Sequence, residues 1–263
     1  MFKTLSILHT VNLPVITIFL FLAVFFGAFV FWRKLRNEGE YTEVEIFDDF
    51  LIALLLGWSA GRLVFVLLNL GNFGLQILQW LNFIVYPGIN LLVAIMVTGG
   101  FLYWRVKKRK LDALEILDFW AIATSLGMFF YDVGQFFDGS GVGEPTKLPW
   151  GVVFPGMILP THPAMLYTAL FFLVMFLYLS WAEFHYRTFD WYRHGRNNAQ
   201  AGFCAGFFIM MTGIYLLISL LWRSANFLVA GISLDIPFYL LVAIFGGGMI
   251  WICSGRSLIG RKR

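Results

Sequence analysis

Seven times along this chain an apolar run of about 20 residues gathers and then gives way to charge, glycine or proline. A helix rises 1.5 Å per residue, so a run of that length crosses a hydrocarbon layer of ~30 Å. The runs fall at roughly 12–32, 46–68, 86–104, 113–133, 163–184, 201–222 and 237–254. Composition agrees: 60% of the 263 residues are hydrophobic and only 13% charged, about half the charged share of a soluble domain. The sequence therefore predicts an all-α integral membrane protein, one polytopic domain of seven transmembrane helices. The first run is too long for the apolar part of a secretory signal, has no small-residue cleavage site and ends in FWRKLR. It reads as a retained span.

Orientation follows from where the basic residues sit. Arg33, Lys34 and Arg36 follow the first run, and Arg105, Lys107, Lys108, Arg109 and Lys110 follow the third. Arg187, Arg193 and Arg196 follow the fifth, and Arg256, Arg261, Lys262 and Arg263 form the tail. Fifteen of the 19 basic residues thus share one side, while Lys3 and Lys147 lie on the other. The expected topology has the N-terminus outside and the C-terminus in the cytoplasm. The same placement explains the net charge of +4 as a topology signal and excludes a nucleic-acid surface. Cys204 and Cys253 lie within apolar runs at spacings that indicate neither a metal site nor a disulfide framework.

The longest stretch without a continuous apolar run is Tyr131–Thr168, which faces outward in this topology and supplies a cap over about 134–162. Its glycines, prolines and polar groups suit a loop that carries chemistry. The segment 69–85, with Gln76, Gln79 and Trp80 among Leu and Ile, reads as an amphipathic piece in the outer interface.

Ionisable groups inside spans are costly and mark a partner or a wet cavity. Arg62 lies 16 residues beyond Ile46, or ~24 Å along its helix, which puts it in the outer leaflet. Asp132, His162 and Arg223 reach the same layer from three other spans. Together they suggest an outer-leaflet cavity able to hold a phosphate head group, which the forked donors of arginine suit. Arg62 and Asp132 could instead neutralise each other, and Arg223 taken alone reads as snorkelling to the interface. His162 is the one histidine in the candidate site and could act as a general base, or it could simply start a helix before Pro163. Asp48, Asp49 and Asp118 lie near inner helix starts, where a carboxylate complements the helix dipole. A retinal receptor would need a lysine in the last span, and 237–254 has none. Internal repeats, expected of many transporters, are not evident.

Several segments in order carry a resemblance: Gly61-Arg62 followed by VFVLLN, LDF at 117–119, VVFP at 152–155, LPTHPAMLY at 159–167 and LDIP at 234–237. Their sequence and spacing resemble the prolipoprotein diacylglyceryl transferase family of bacterial inner membranes over nearly the whole chain. LPTHPAMLY is similar to the family's L-P-x-H-P-x-Q-L-Y, with Met165 in place of Gln. The family's signature G-R-x-G-N-F-x-N-G-E falls on YDVGQFFDGS, residues 131–140. Gly134, Phe136 and Gly139 match, whereas Asp132 replaces the arginine and Gln135, Asp138 and Ser140 replace Asn, Asn and Glu. The family's H-G-G falls near Leu92 and a further arginine near Leu216, both apolar here.

The resemblance implies transfer of a diacylglyceryl group from phosphatidylglycerol to the lipobox cysteine of a prolipoprotein, with no cofactor. Its partners would be the phospholipid, the prolipoprotein signal peptide and the membrane. It implies His162 as base, with Arg62, Arg223, Asp132, Tyr167, Gln135 and Asp138 at the substrate. The alternative is an inactive relative that binds lipid or a lipoprotein partner.

Overall fold

Each apolar run folds as a helix because, inside a bilayer, only intrahelical bonds satisfy the backbone of a single span. The computed structural model describes residues 4–7, 11–38, 42–74, 77, 80, 88–185, 201–223, 228–229 and 232–253. A hairpin of β1 (Thr4–Ile7) and β2 (Val11–Pro14) leads into α1 (Val15–Glu38) and α2 (Glu43–Leu68). The short α3 (Leu70–Phe73) is followed by α4 (Leu91–Lys108), α5 (Ala113–Asp138), α6 (Ala164–Glu183) and α7 (Phe203–Ser219). A second hairpin, β3 (Leu228–Val229) and β4 (Ile232–Ser233), precedes α8 (Asp235–Cys253). The protein is a helical membrane protein, and to the all-α sequence reading the structure adds these two small hairpins among the described residues. Of the described helices, α1, α2, α5, α6 and α8 are long and apolar enough to span. The other two expected runs are helical as well. However, α7 has 17 residues, and α4 ends in Arg105, Lys107 and Lys108.

Helix α5 is the centre, packed by α1, α4, α6 and α7. Its middle carries fully buried Phe119, Ala121 and Ile122. Lipid tails are as apolar as these side chains, so close approach between helices depends on small residues. A Cβ on Gly127 would stand 3.1 Å from the Ala23 carbonyl of α1, and one on Gly61 of α2 would stand 2.7 Å from the Asn90 carbonyl at the start of α4. In the same way Gly206 and Gly213 of α7 meet the backbone of α8. Gly57 and Gly61, one turn apart on α2, thus make the α2–α4 contact.

One end of the bundle is locked by charge. Asp49, buried in α2, accepts from Nε of Arg105 at 2.9 Å and Nε of Arg109 at 2.8 Å, and Arg109 also pairs with Glu45. The hydrogen bond to Asp49 holds the Arg109 guanidinium above its ordinary pKa. Lys34 of α1 pairs with Glu183 of α6. Asp118 accepts from the backbone N–H of Gly202 and Ala205, both at 2.8 Å, and so caps α7 from within α5. The carboxylates at 49 and 118, which the sequence assigned to the dipoles of their own helices, instead tie α2 to α4 and α5 to α7.

At the opposite end α5 runs five residues past the expected end of its span, to Asp138. Gly134 packs against Phe19 rather than opening a turn, and the helix stops at Gly139, which takes the left-handed conformation at φ 77°. Most of YDVGQFFDGS is therefore the last turns of a helix, and the non-helical cap begins at Gly139. Cross-links hold that cap: Gly143 donates to His162, His162 to Glu144, Thr146 to Pro160, and Val152 and Thr161 exchange backbone bonds. Glu144 donates to the Trp222 carbonyl just beyond α7. Most of the expected interfacial segment 69–85 lies outside the described residues, as do His194, the basic residues after α6 and the basic tail.

Candidate functional site

The capped end of the bundle encloses a chamber of about 430 Å³. Its walls come from the end of α2 (Phe65, Leu68), the start of α4 (Asn90, Leu91, Leu92), α5 (Asp132, Gln135), α6 (Thr168, Phe172) and α7 (Thr212, Tyr215, Leu216), with Arg223 and Tyr239. Alternating helices each deliver the same end here, so residues distant in sequence converge.

Arg223 lies beyond α7, where Leu220, Leu221 and Trp222 close the last turns. Its Nη2 donates to Thr168 Oγ1 at 3.1 Å. Thr168 Oγ1 also lies 2.8 Å from Tyr215 Oη and donates to the Ala164 carbonyl at 3.0 Å. With its one proton on Ala164, the threonine accepts from both Tyr215 and Arg223. That chain fixes the guanidinium while its Nε stays buried without an acceptor among the described residues.

Asp132, 2% exposed, points its α5 carboxylate into the same space. Its Oδ2 finds no hydrogen-bond partner among the described residues, and Arg223 is the charged group that acts on it. Gln135, one turn on, donates to Tyr131 Oη at 3.1 Å. The chamber thus offers one fixed cation, one buried carboxylate, the linked hydroxyls of Thr168 and Tyr215, and a Thr212 hydroxyl without a partner among the described residues.

Arg62, expected at the phosphate, lies elsewhere. It is buried in α2, but Nε donates to the Trp80 carbonyl and Nη1 to the Gly88 carbonyl, each at 2.8 Å. Its guanidinium lies over Phe65 and Phe73, at 5.6 and 5.3 Å. It braces the connection between α2 and α4 and is not among the chamber's lining residues. No ion pair joins it to Asp132 among the described residues, so the expected mutual neutralisation is replaced by a relation between Asp132 and Arg223.

His162 and Tyr167 form a separate cluster on the cap. His162 Nδ1 lies 3.3 Å from Tyr167 Oη, which accepts from Trp150 Nε1 at 2.8 Å, and the Tyr167 ring meets Trp222 edge-on at 5.5 Å. Neither His162 nor Tyr167 lines the chamber, and Asp138, in the final turn of α5, does not either. Met165 is fully buried. Lys147 is exposed on the cap.

Of the residues singled out from sequence, Asp132, Gln135 and Arg223 meet in one place, together with Leu92 and Leu216. Those two leucines hold the positions at which the resemblance expects histidine and arginine. Thr168, Thr212 and Tyr215 were missed. A signal existed for α7: Thr212, Tyr215 and Ser219 recur at i, i+3 and i+7, one helical face, and all three are buried.

Comparison with known proteins bears on the whole chain. The sequence profile of the prolipoprotein diacylglyceryl transferase family matches residues 4–253. Three proteins named phosphatidylglycerol–prolipoprotein diacylglyceryl transferase are similar to it. The one from Clostridium tetani is 28% identical over 166 residues, 59% of this chain and 64% of that protein. The one from Thermotoga petrophila is 30% identical over 179 residues, 64% of this chain and 58% of that protein. The one from Chlamydia trachomatis is 29% identical over 259 residues, 90% of this chain and 89% of that protein. The chain thus spans less than two thirds of the Clostridium and Thermotoga relatives and most of the Chlamydia one.

Proposed function

The chain belongs to the prolipoprotein diacylglyceryl transferase family, and from that premise we propose that it moves a diacylglyceryl group from a phospholipid to the lipobox cysteine of a prolipoprotein. The phospholipid in the relatives' names is phosphatidylglycerol. The observation that carries the reading is the buried chamber in which Arg223 is held by Thr168 and Tyr215.

In the reaction, the cysteine sulfur attacks the glyceryl carbon that bears the phosphate ester. A C–S bond forms, the C–O bond breaks, and glycerol phosphate leaves with the electron pair. The chamber's contribution is to the leaving group: a fixed guanidinium stabilises charge that grows on the departing oxygen, and a dry wall strengthens that attraction. The thiol reacts as thiolate. His162 takes its proton at the cap, outside the chamber, through Nε2, the ring nitrogen that Tyr167 does not engage. Gln135 orients the head group from α5, and Arg62 acts indirectly by holding the chamber wall at Gly88–Asn90. Asp138 and Tyr167 act from the cap side.

The basic bias supports seven spans with the N-terminus outside, and so a chamber that faces the outer leaflet of a bacterial inner membrane. Substrate phospholipid and prolipoprotein signal peptide both reach such a chamber within the bilayer, and the reaction uses no cofactor.

The test is to incubate proteoliposomes holding the full chain and phosphatidylglycerol with a lipobox peptide, then look for thioether-linked diacylglycerol by mass spectrometry. The expected product is a peptide heavier by one diacylglyceryl group. If none forms where the Chlamydia relative is active, the transferase reading is lost. A second reading would then stand, a relative that binds lipid or a lipoprotein partner without turnover. Leu92, Leu216 and Asp132, all in the chamber where the family has ionisable groups of other kinds, favour that alternative. His162→Ala carries its own prediction. Loss of a general base costs about 10²-fold at neutral pH, and the deficit shrinks as pH rises toward the ~8.5 of a free thiol. An unchanged rate removes His162 from the mechanism.

A further inference from the structure

The chamber contains two orphaned groups of opposite sign. Asp132 Oδ2 has no hydrogen-bond partner among the described residues, although the residue is 2% exposed. Arg223 leaves Nε buried without an acceptor, its Nη2 being taken by Thr168. No described side chain bonds either atom: Thr168 and Tyr215 bond each other, Gln135 donates to Tyr131, the Thr212 hydroxyl is itself buried without a partner among the described residues, and no described lysine lines the space. Leaving a buried polar atom unpaired is costly, and more so when it is charged, so the occupant is expected to satisfy both ends.

A phosphatidylglycerol head group answers only one of them. It carries an anionic phosphate, which suits Arg223, and neutral hydroxyls. It also brings a second negative charge into a low-dielectric space that already contains a carboxylate. A head group with a phosphate and a primary ammonium answers both. The phosphate takes the free Nε of Arg223, and the ammonium, with three donors, takes Asp132.

We propose that the chamber is built for a zwitterionic phospholipid head group of the phosphoethanolamine class, with Asp132 as the residue that sets this specificity. The inference rests on reading the chamber as a lipid head-group site, and it departs from the lipid in the relatives' names. It concerns binding alone and is indifferent to whether transfer follows.

The experiment uses the full chain in detergent micelles, exposed to an equimolar mixture of phosphatidylethanolamine, phosphatidylglycerol and phosphatidylcholine with matched acyl chains. Retained lipid is counted by native mass spectrometry. A charge-assisted hydrogen bond contributes ~1.5–3 kcal/mol, so the wild type is expected to keep phosphatidylethanolamine over phosphatidylglycerol by about 10-fold or more. Phosphatidylcholine, whose quaternary nitrogen has no N–H to donate, is expected to rank below phosphatidylethanolamine. Asp132→Asn keeps the shape and removes the charge, and should bring phosphatidylethanolamine and phosphatidylglycerol within about twofold of each other. Asp132→Glu should keep the preference. Equal retention by the wild type, a preference for phosphatidylglycerol, or a preference that survives Asp132→Asn would each overturn the proposal. The wild-type comparison decides even if a variant fails to fold. Lipid preference without thioether product would sink the transferase reading and leave this one standing. Thioether product from phosphatidylglycerol, without phosphatidylethanolamine preference, would do the reverse.

Discussion

Two arginines buried at the same end of this bundle do different work because of what lies beside each. Arg223 reaches a hydroxyl chain and keeps a donor for the chamber, whereas Arg62 gives two donors to backbone carbonyls of the α2–α4 connection. Replacing Arg223 with Ala should therefore cut thioether formation by about 10²–10³-fold, the loss seen when one donor to a developing charge is removed. Arg223→Lys should recover little of that rate, because an ammonium lacks the fork that spans Thr168 and the substrate. Arg62→Ala should act first on stability. Two part-buried carbonyls lose their donors, at up to about 1–3 kcal/mol each, and thermal unfolding in detergent should register the loss before any head-group affinity does. The sequence placed both arginines in one layer from residue counting alone. It gave no direction to either side chain, since the carbonyls at 80 and 88 approach position 62 only after the chain has folded back.

Among the elements, α5 carries most of the architecture, and its charged residues separate by end. Asp118 caps α7, Asp132 faces the chamber, and about four turns of apolar helix lie between them. Asp118→Ala removes the acceptor of two backbone N–H groups at the start of α7. The expected cost is about 1–3 kcal/mol, read as a lower unfolding midpoint in detergent, while lipid preference is retained. Gly61→Val should be worse tolerated than Gly71→Val. A Cβ at 61 meets the Asn90 carbonyl, whereas one at 71 meets nothing within 4 Å among the described residues, and overpacking costs ~1–3 kcal/mol. A folding yield that is equal for the two glycine variants would contradict the α2–α4 contact. Small residues in an apolar run mark close helix packing. Which helices they join was not readable, because a small residue records that a neighbour is near without recording its identity.

For the whole molecule the chief prediction is topology. A cysteine at Lys147, exposed on the cap, should react with a membrane-impermeant maleimide added outside intact cells. One at Lys107, in the basic last turn of α4, should react only after the membrane is opened. The opposite pattern would invert the protein and point the chamber inward. Apolar periodicity and basic clustering are properties of contiguous residues, and for that reason the sequence by itself determined that the chain is built of apolar helices and gave the expected side of each connection. The family resemblance was equally legible, carried by short segments in order. What only the tertiary structure decided is who shares the chamber. Asp132, Thr168, Tyr215 and Arg223 come from separate helices, and their meeting depends on helix rotation and on where α5 ends. That end is set by Gly139 adopting the left-handed conformation and by Gly134 fitting against Phe19. Read as sequence, the same glycines marked a loop. Read in the fold, they belong to the end of a helix whose added turn brings Gln135 to the chamber beside Asp132.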